Sequence, residues 1–220
     1  MTRRIEPSHR QQVAVGPLRL PGILDVPEGA AGLVMFAHGS GSSRFSTRNR
    51  FVADELNQVG LATLLFDLLT PGEEADRSNV FDIELLAGRL TESSTWLNSQ
   101  SDVVALPLGL FGASTGAGAA LWAAGEPGAD VAAIVSRGGR PDLAGPRLVD
   151  VRAPTLLIVG GRDTAVIELN RLAEEQLRAE CELVIVEGAT HLFEEPGALP
   201  AVARLAAEWF TGHLGAADRV

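Results

Sequence analysis

The sequence predicts an α/β protein built on a mainly parallel, doubly wound sheet, and three observations carry that prediction. Short apolar runs at residues 33–37, 61–66, 106–111, 131–136, 154–159 and 183–187 have strand length and no polar alternation, as strands covered on both faces do. Between them lie stretches with apolar residues at helical spacing, such as Ile83, Leu86, Leu90 and Leu97, or Val166, Leu169, Leu172 and Leu177. Most runs end in glycine or small polar residues. Right-handed crossovers would then place the strand carboxyl ends along one edge of the sheet.

The chain has 220 residues, which suits a single domain over 1–220 with loose termini at 1–10 and 216–220. A net charge of −10 disfavours nucleic acid and anionic membrane surfaces as partners. The one cysteine, Cys181, excludes an internal disulfide, and no apolar run approaches the roughly 20 residues of a membrane span. The opening residues do not resemble a signal peptide, so a cytoplasmic location is expected, as a monomer or homodimer.

Residues 11–26 read as an antiparallel hairpin turning at Gly16-Pro17, with Pro21 tolerable only near a sheet edge. The strand at 33–37 runs into His38-Gly-Ser-Gly-Ser-Ser-Arg44. That loop lacks the third glycine of a dinucleotide fingerprint and the lysine of a phosphate loop, so nucleotide binding is not expected. Its backbone amides could instead face an oxyanion. His38 reads as a structural histidine. A helix follows over 46–59, stopped by Gly60, then the strand at 61–66, a polar loop over 71–78 and the helix carrying Ile83 to Leu97.

The next strand breaks at Gly112-Ala-Ser-Thr-Gly116 and continues as an alanine-rich helix. Glycines on either side let the chain hold Ser114 in a sharp, exposed turn, which makes it the candidate nucleophile; as a plain reading, it could equally cap the helix. A serine hydroxyl attacks poorly unless a base removes its proton and a third group orients that base. Asp163, just past the strand at 154–159, and His191, just past that at 183–187, fall on the same edge. Each has a bland alternative, Asp163 as a helix cap and His191 as a solvated loop residue. The last helix carries Val202, Leu205, Trp209 and Phe210 on one face.

In the order Ser114, Asp163, His191, these residues resemble the α/β-hydrolase superfamily. The His38-Gly39 loop, Gly161-Arg-Asp163, Gly188-Ala-Thr-His191 and the absence of a large cap are similar to its dienelactone-hydrolase-like branch, over about residues 11–215. Dienelactone hydrolase proper uses a cysteine nucleophile where this chain has Ser114, so the resemblance implies hydrolysis of esters or related acyl compounds and names no particular substrate. Cys181 precedes a strand and reads as a packing residue. The resemblance further implies Ser114, Asp163 and His191 as catalytic residues, an oxyanion hole from the backbone N–H of Thr115 and of Gly39 or Ser40, and no metal or cofactor. An acyltransferase on the same triad and a non-catalytic binding protein on the same scaffold are the alternatives.

Overall fold

The computed structural model describes residues 9–215. Eight strands form one sheet in the order β1-β2-β4-β3-β5-β6-β7-β8: β1 (His9–Val15), β2 (Leu20–Val26), β3 (Leu33–Ala37), β4 (Ala62–Phe66), β5 (Leu108–Ala113), β6 (Ala133–Arg137), β7 (Thr155–Gly160) and β8 (Cys181–Val186). β1 and β2 pair antiparallel with each other and β2 antiparallel with β4; every other neighbour is parallel. This is an α/β-hydrolase sheet with an antiparallel edge and no large cap.

Because helices cover both faces, β3 and β6 are buried along their whole length and β5 from Gly109 onward. Successive residues divide between two cores. Met35, Leu110 and Ile134 face α3 (Ile83–Leu97) and α4 (Thr115–Ala124), while Phe36, Phe111 and Val135 face α1 (Thr47–Gln58) and α6 (Ala198–Leu214). α5 (Thr164–Gln176) joins the first face and adds a small cluster of Val166 and Ile167 on Val159. Both α1 and α3 begin on side-chain caps, from Ser46 and Asp82. No helix among the described residues is long and apolar enough to cross a membrane.

Two local expectations need correcting. Strand β1 starts at His9, inside the stretch expected to be loose, because Arg10 is held by ion pairs to Asp25 at 2.7 Å and Asp54 at 2.6 Å. Residues 1–8 and 216–220 lie outside the described residues. The polar loop over 71–78 contains a helical turn, α2 (Pro71–Glu74), built on a capping box in which Thr70 and Glu73 satisfy each other's backbone N–H. Its signature, Thr70-Pro-Gly-Glu73, was visible in the sequence. The stretch before β7 is a 3₁₀ segment, Pro141–Asp150, kinked at Gly145.

Candidate active site

Ser114 follows β5, Asp163 follows β7, His191 lies beyond β8, and the His38-Gly39 loop follows β3, so all four meet the carboxyl edge of the sheet. Ser114 has φ 52° and ψ −121°, a conformation that costs a non-glycine residue on the order of 1–3 kcal/mol and persists only where its surroundings enforce it. Three backbone hydrogen bonds do so: Ser114 N–H donates to Arg137 O at 3.2 Å, and its carbonyl accepts from Ala117 N–H and Arg140 N–H, both at 3.1 Å. The flanking glycines are there for space. A Cβ on Gly112 would stand 2.4 Å from Ala117 Cα, and one on Gly116 would stand 2.2 Å from Ala37 O. The Ser114 side chain makes no hydrogen bond to the amides of α4, which removes the helix-cap reading.

Asp163 behaves likewise. It occupies the N-cap position of α5, yet its carboxylate does not cap that helix; Oδ2 instead meets His191 Nδ1 at 2.7 Å. An ionised carboxylate can only accept, so Nδ1 holds the proton and Nε2 is left with a lone pair. The carboxylate is the more enclosed partner, 18% exposed against 39% for the imidazole. Backbone bonds lock the two loops together, with Arg162 N–H donating to Ala189 O at 2.9 Å. Phe193, buried and at φ 55°, anchors the chain just after the histidine. No hydrogen bond joins Ser114 Oγ to His191, and such bonds often tighten only when substrate binds.

The loop after β3 is braced from below. His38 Nδ1 donates to Gly39 O at 3.0 Å, and Nε2 accepts from Leu68 N–H at 3.1 Å, which ties the loop to the end of β4. Gly39 packs on the serine: a Cβ there would lie 3.1 Å from Ser114 Cβ. The N–H of Thr115 opens α4 and has no intrahelical acceptor. Ser40 N–H donates to Thr115 Oγ1 at 2.9 Å, so of the two loop amides named from the sequence, this one is engaged in the free protein. Farther along, Arg44 clamps Asp67 through its backbone N–H at 2.8 Å and through its guanidinium. A small cleft of about 50 Å³ lies between this loop and α2, lined by His38, Ser40, Leu69, Val80 and Leu86. A larger cavity of about 590 Å³ opens at the opposite end of the strands, against Leu90, Val103, Leu108 and Val131, and contains none of the candidate residues.

Burial lowers the His38 pKa below its ordinary 6.5, outweighing its bond to Gly39 O and the charge of Asp67. Between the folded value and 6.5 the unfolded chain binds the extra proton, so His38 contributes full stability above pH 6.5 and loses it progressively as pH falls. The thermal midpoint should therefore drop from neutral pH towards pH ~5, and His38→Gln should flatten that part of the profile. An identical slope in the variant would assign the acid sensitivity to other groups. Burial also pushes the Cys181 thiol up to about 12, which leaves it an unreactive packing residue.

Sequence reasoning missed Arg137, at the end of β6 and 7% exposed, because a strand-end arginine reads as solvated. Nor does the sequence show that Thr115 would offer its hydroxyl to Ser40.

No family model matches the chain. It is 56% identical to a dienelactone hydrolase from Anabaena variabilis whose crystal structure superposes with a TM-score of 0.89, covering 96% of this chain and 99% of that one. Est1E from Butyrivibrio proteoclasticus shares the fold at 15% identity and a TM-score of 0.79, over 93% of this chain and 98% of its own. Two Mycobacterium tuberculosis proteins provisionally named phosphoribosyl transferases are 62% identical over 203 residues, 92% of this chain. The match is 46% of their length, so the chain spans about half of these curated relatives.

Proposed function

We propose, for a chain that belongs to the dienelactone-hydrolase-like α/β-hydrolases, a serine hydrolase that cleaves small carboxylic esters through an acyl-enzyme. The observation that carries this is the pairing of His191 Nδ1 with Asp163 Oδ2 at 2.7 Å where a helix cap was available to the carboxylate. Aspartate at an N-cap position forgoes about 1 kcal/mol by leaving the helix amides alone, and here it serves the imidazole instead.

In the proposed reaction Ser114 Oγ attacks the acyl carbon as its proton passes to His191 Nε2. The tetrahedral oxyanion is held by Thr115 N–H and by N–H groups of the Gly39-Ser40 loop; Ser40 joins once its bond to Thr115 Oγ1 opens. His191 returns the proton to the leaving alkoxide. Water, deprotonated in turn by His191, then releases the acid and restores Ser114. Asp163 keeps the proton on Nδ1 throughout and stabilises the imidazolium. The partner is a small ester, and no metal or organic cofactor enters any step.

The transferase name of the Mycobacterium tuberculosis relatives belongs to proteins about twice this length, and nothing in the Ser114 site favours phosphoribosyl transfer. Acyl transfer to an alcohol or amine would use the same residues, and product analysis separates it from hydrolysis. The direct test is labelling with a fluorophosphonate and mapping the modified residue. Modification at Ser114 supports the proposal; a protein that is neither labelled nor active on any ester would defeat it.

The excursions after the strands are short and bring no lid over Ser114, and the neighbouring cleft is only about 50 Å³. A deep acyl channel would reward each added methylene by roughly 0.8 kcal/mol, about fourfold in kcat/KM. With p-nitrophenyl esters, kcat/KM should rise no further beyond the first few carbons. A continued climb from butyrate to dodecanoate would reveal a channel.

A further inference from the structure

Space for a whole organic molecule lies away from Ser114. The cavity at the amino end of the central strands measures about 590 Å³, within the roughly 300–1,000 Å³ of small-molecule sites, whereas the cleft beside the His38-Gly39 loop measures about 50 Å³. Leu108, the first residue of β5, lines the larger cavity, and Ser114 follows the end of that strand. At about 3.3 Å per residue the two are roughly 20 Å apart.

The cavity follows from the chain around it. Two irregular connections, residues 98–107 between α3 and β5 and residues 125–132 between α4 and β6, bring small side chains to its wall, among them Ala105, Ala129 and Ala132. Such side chains cannot fill the space between α3 and the strand ends. The floor is the outer edge of one hydrophobic core: Leu33 and Met35 of β3, Leu110 of β5 and Leu90 of α3, none more than 2% exposed.

The mouth is different. Thr91, Ser94 and Asn98 stand on successive turns at one side, with Glu126 and Asp130 at the other, and no basic side chain lines any part of the cavity. Neither carboxylate is in an ion pair among the described residues. Glu126 Oε2 lies 3.2 Å from Thr91 Oγ1, but that hydroxyl has one proton to donate and Ala87 O lies equally near it. An apolar floor rewards a hydrocarbon body, and an acidic mouth without a cation of its own favours a positive group at one end of it.

We propose that this cavity is a second binding site, for a small molecule with an apolar, ring-sized body and a single cationic amine. The body lies on Leu33, Met35 and Leu90, and the ammonium faces Glu126 and Asp130 at the mouth. The site stands whether or not Ser114 is a nucleophile.

Three probes of one shape and different charge test it by calorimetric titration at neutral pH: 1-naphthylmethylamine, 1-naphthalenemethanol and 1-naphthoate. The amine should saturate one site with a Kd of about a millimolar or below, bind severalfold more tightly than the alcohol and at least about tenfold more tightly than the carboxylate, and lose part of that advantage in high salt. Glu126→Gln combined with Asp130→Asn should bring the amine down to the alcohol. Glu55→Gln combined with Glu208→Gln, on the helices of the other sheet face, should leave the order unchanged. Equal affinity for amine and alcohol, or equal loss from the two pairs of substitutions, would reduce the effect to the overall charge of −10 and overturn the cation site.

Placement is tested separately. Ala105 and Ala129 are exposed on the cavity wall, so Ala105→Trp and Ala129→Trp should fold and should weaken the amine by taking up its space. Unchanged binding in both would put the probe elsewhere, and absence of saturable binding to the unmodified protein would overturn the site outright. Ser114→Ala should bind the amine as the unmodified protein does. Loss of binding in that variant would move the probe to the carboxyl edge of the sheet and equally overturn a second site.

Discussion

Ser114→Ala should leave a folded protein that a fluorophosphonate no longer labels and that hydrolyses esters roughly 10⁴- to 10⁶-fold more slowly, since loss of the nucleophile removes the covalent route and leaves only the oxyanion donors and binding. The fold should persist because the substitution removes one hydroxyl that makes no cap bond to α4. What holds the turn is backbone: the bonds from Ser114 N–H to Arg137 O and from Arg140 N–H to Ser114 O do not involve the side chain. Alanine also tolerates φ 52° about as poorly as serine does, so strain changes little. Circular dichroism and the thermal midpoint establish the fold, and kcat with a short p-nitrophenyl ester measures the loss. Near-native turnover in the variant would mean that Ser114 is not the nucleophile.

Much of this site was legible because its chemistry is written into chain order and turn composition. A strand followed by Gly112-Ala-Ser-Thr-Gly116 and a helix leaves few places for the serine, and strands ending at Gly160 and Val186 deliver Asp163 and His191 to the same edge. What separates a capping aspartate from one paired with a histidine was not legible. Aspartate before a helix has the same sequence whether its carboxylate bonds amides or an imidazole, and only the 2.7 Å contact separates them. The bond from Ser40 N–H to Thr115 Oγ1 joins residues 75 apart, so local spacing carries no trace of it. Arg137 is the plainest case. Its burial depends on Phe193 and α1 closing over the end of β6, a tertiary event to which the residues around it in sequence contribute nothing. By contrast, α2 was locally encoded, in Thr70 with Glu73, whereas the early start of β1 rests on Arg10 reaching Asp25 and Asp54, 15 and 44 residues along the chain.

Asp163→Asn should lower kcat by about 10⁴ with almost no change in stability. The two halves of that expectation have separate causes. An asparagine amide can present its N–H₂ to His191 Nδ1, which places the imidazole proton on Nε2 and leaves no lone pair to receive the serine proton. Stability should hold because the carboxylate contributes no cap to α5, and asparagine is as good an N-cap residue as aspartate. The variant can even gain a bond to the helix amides that aspartate declines. Among the described residues no second carboxylate pairs with His191. Asp67, the other acid at a strand end, is held by Arg44 through both backbone and guanidinium, and its loop is tied to His38 rather than to His191. The pair of measurements therefore discriminates between two roles. A large fall in kcat at constant thermal midpoint identifies Asp163 as the group that sets the tautomer. A fall in both would make it a structural residue, and full activity would remove it from the reaction altogether.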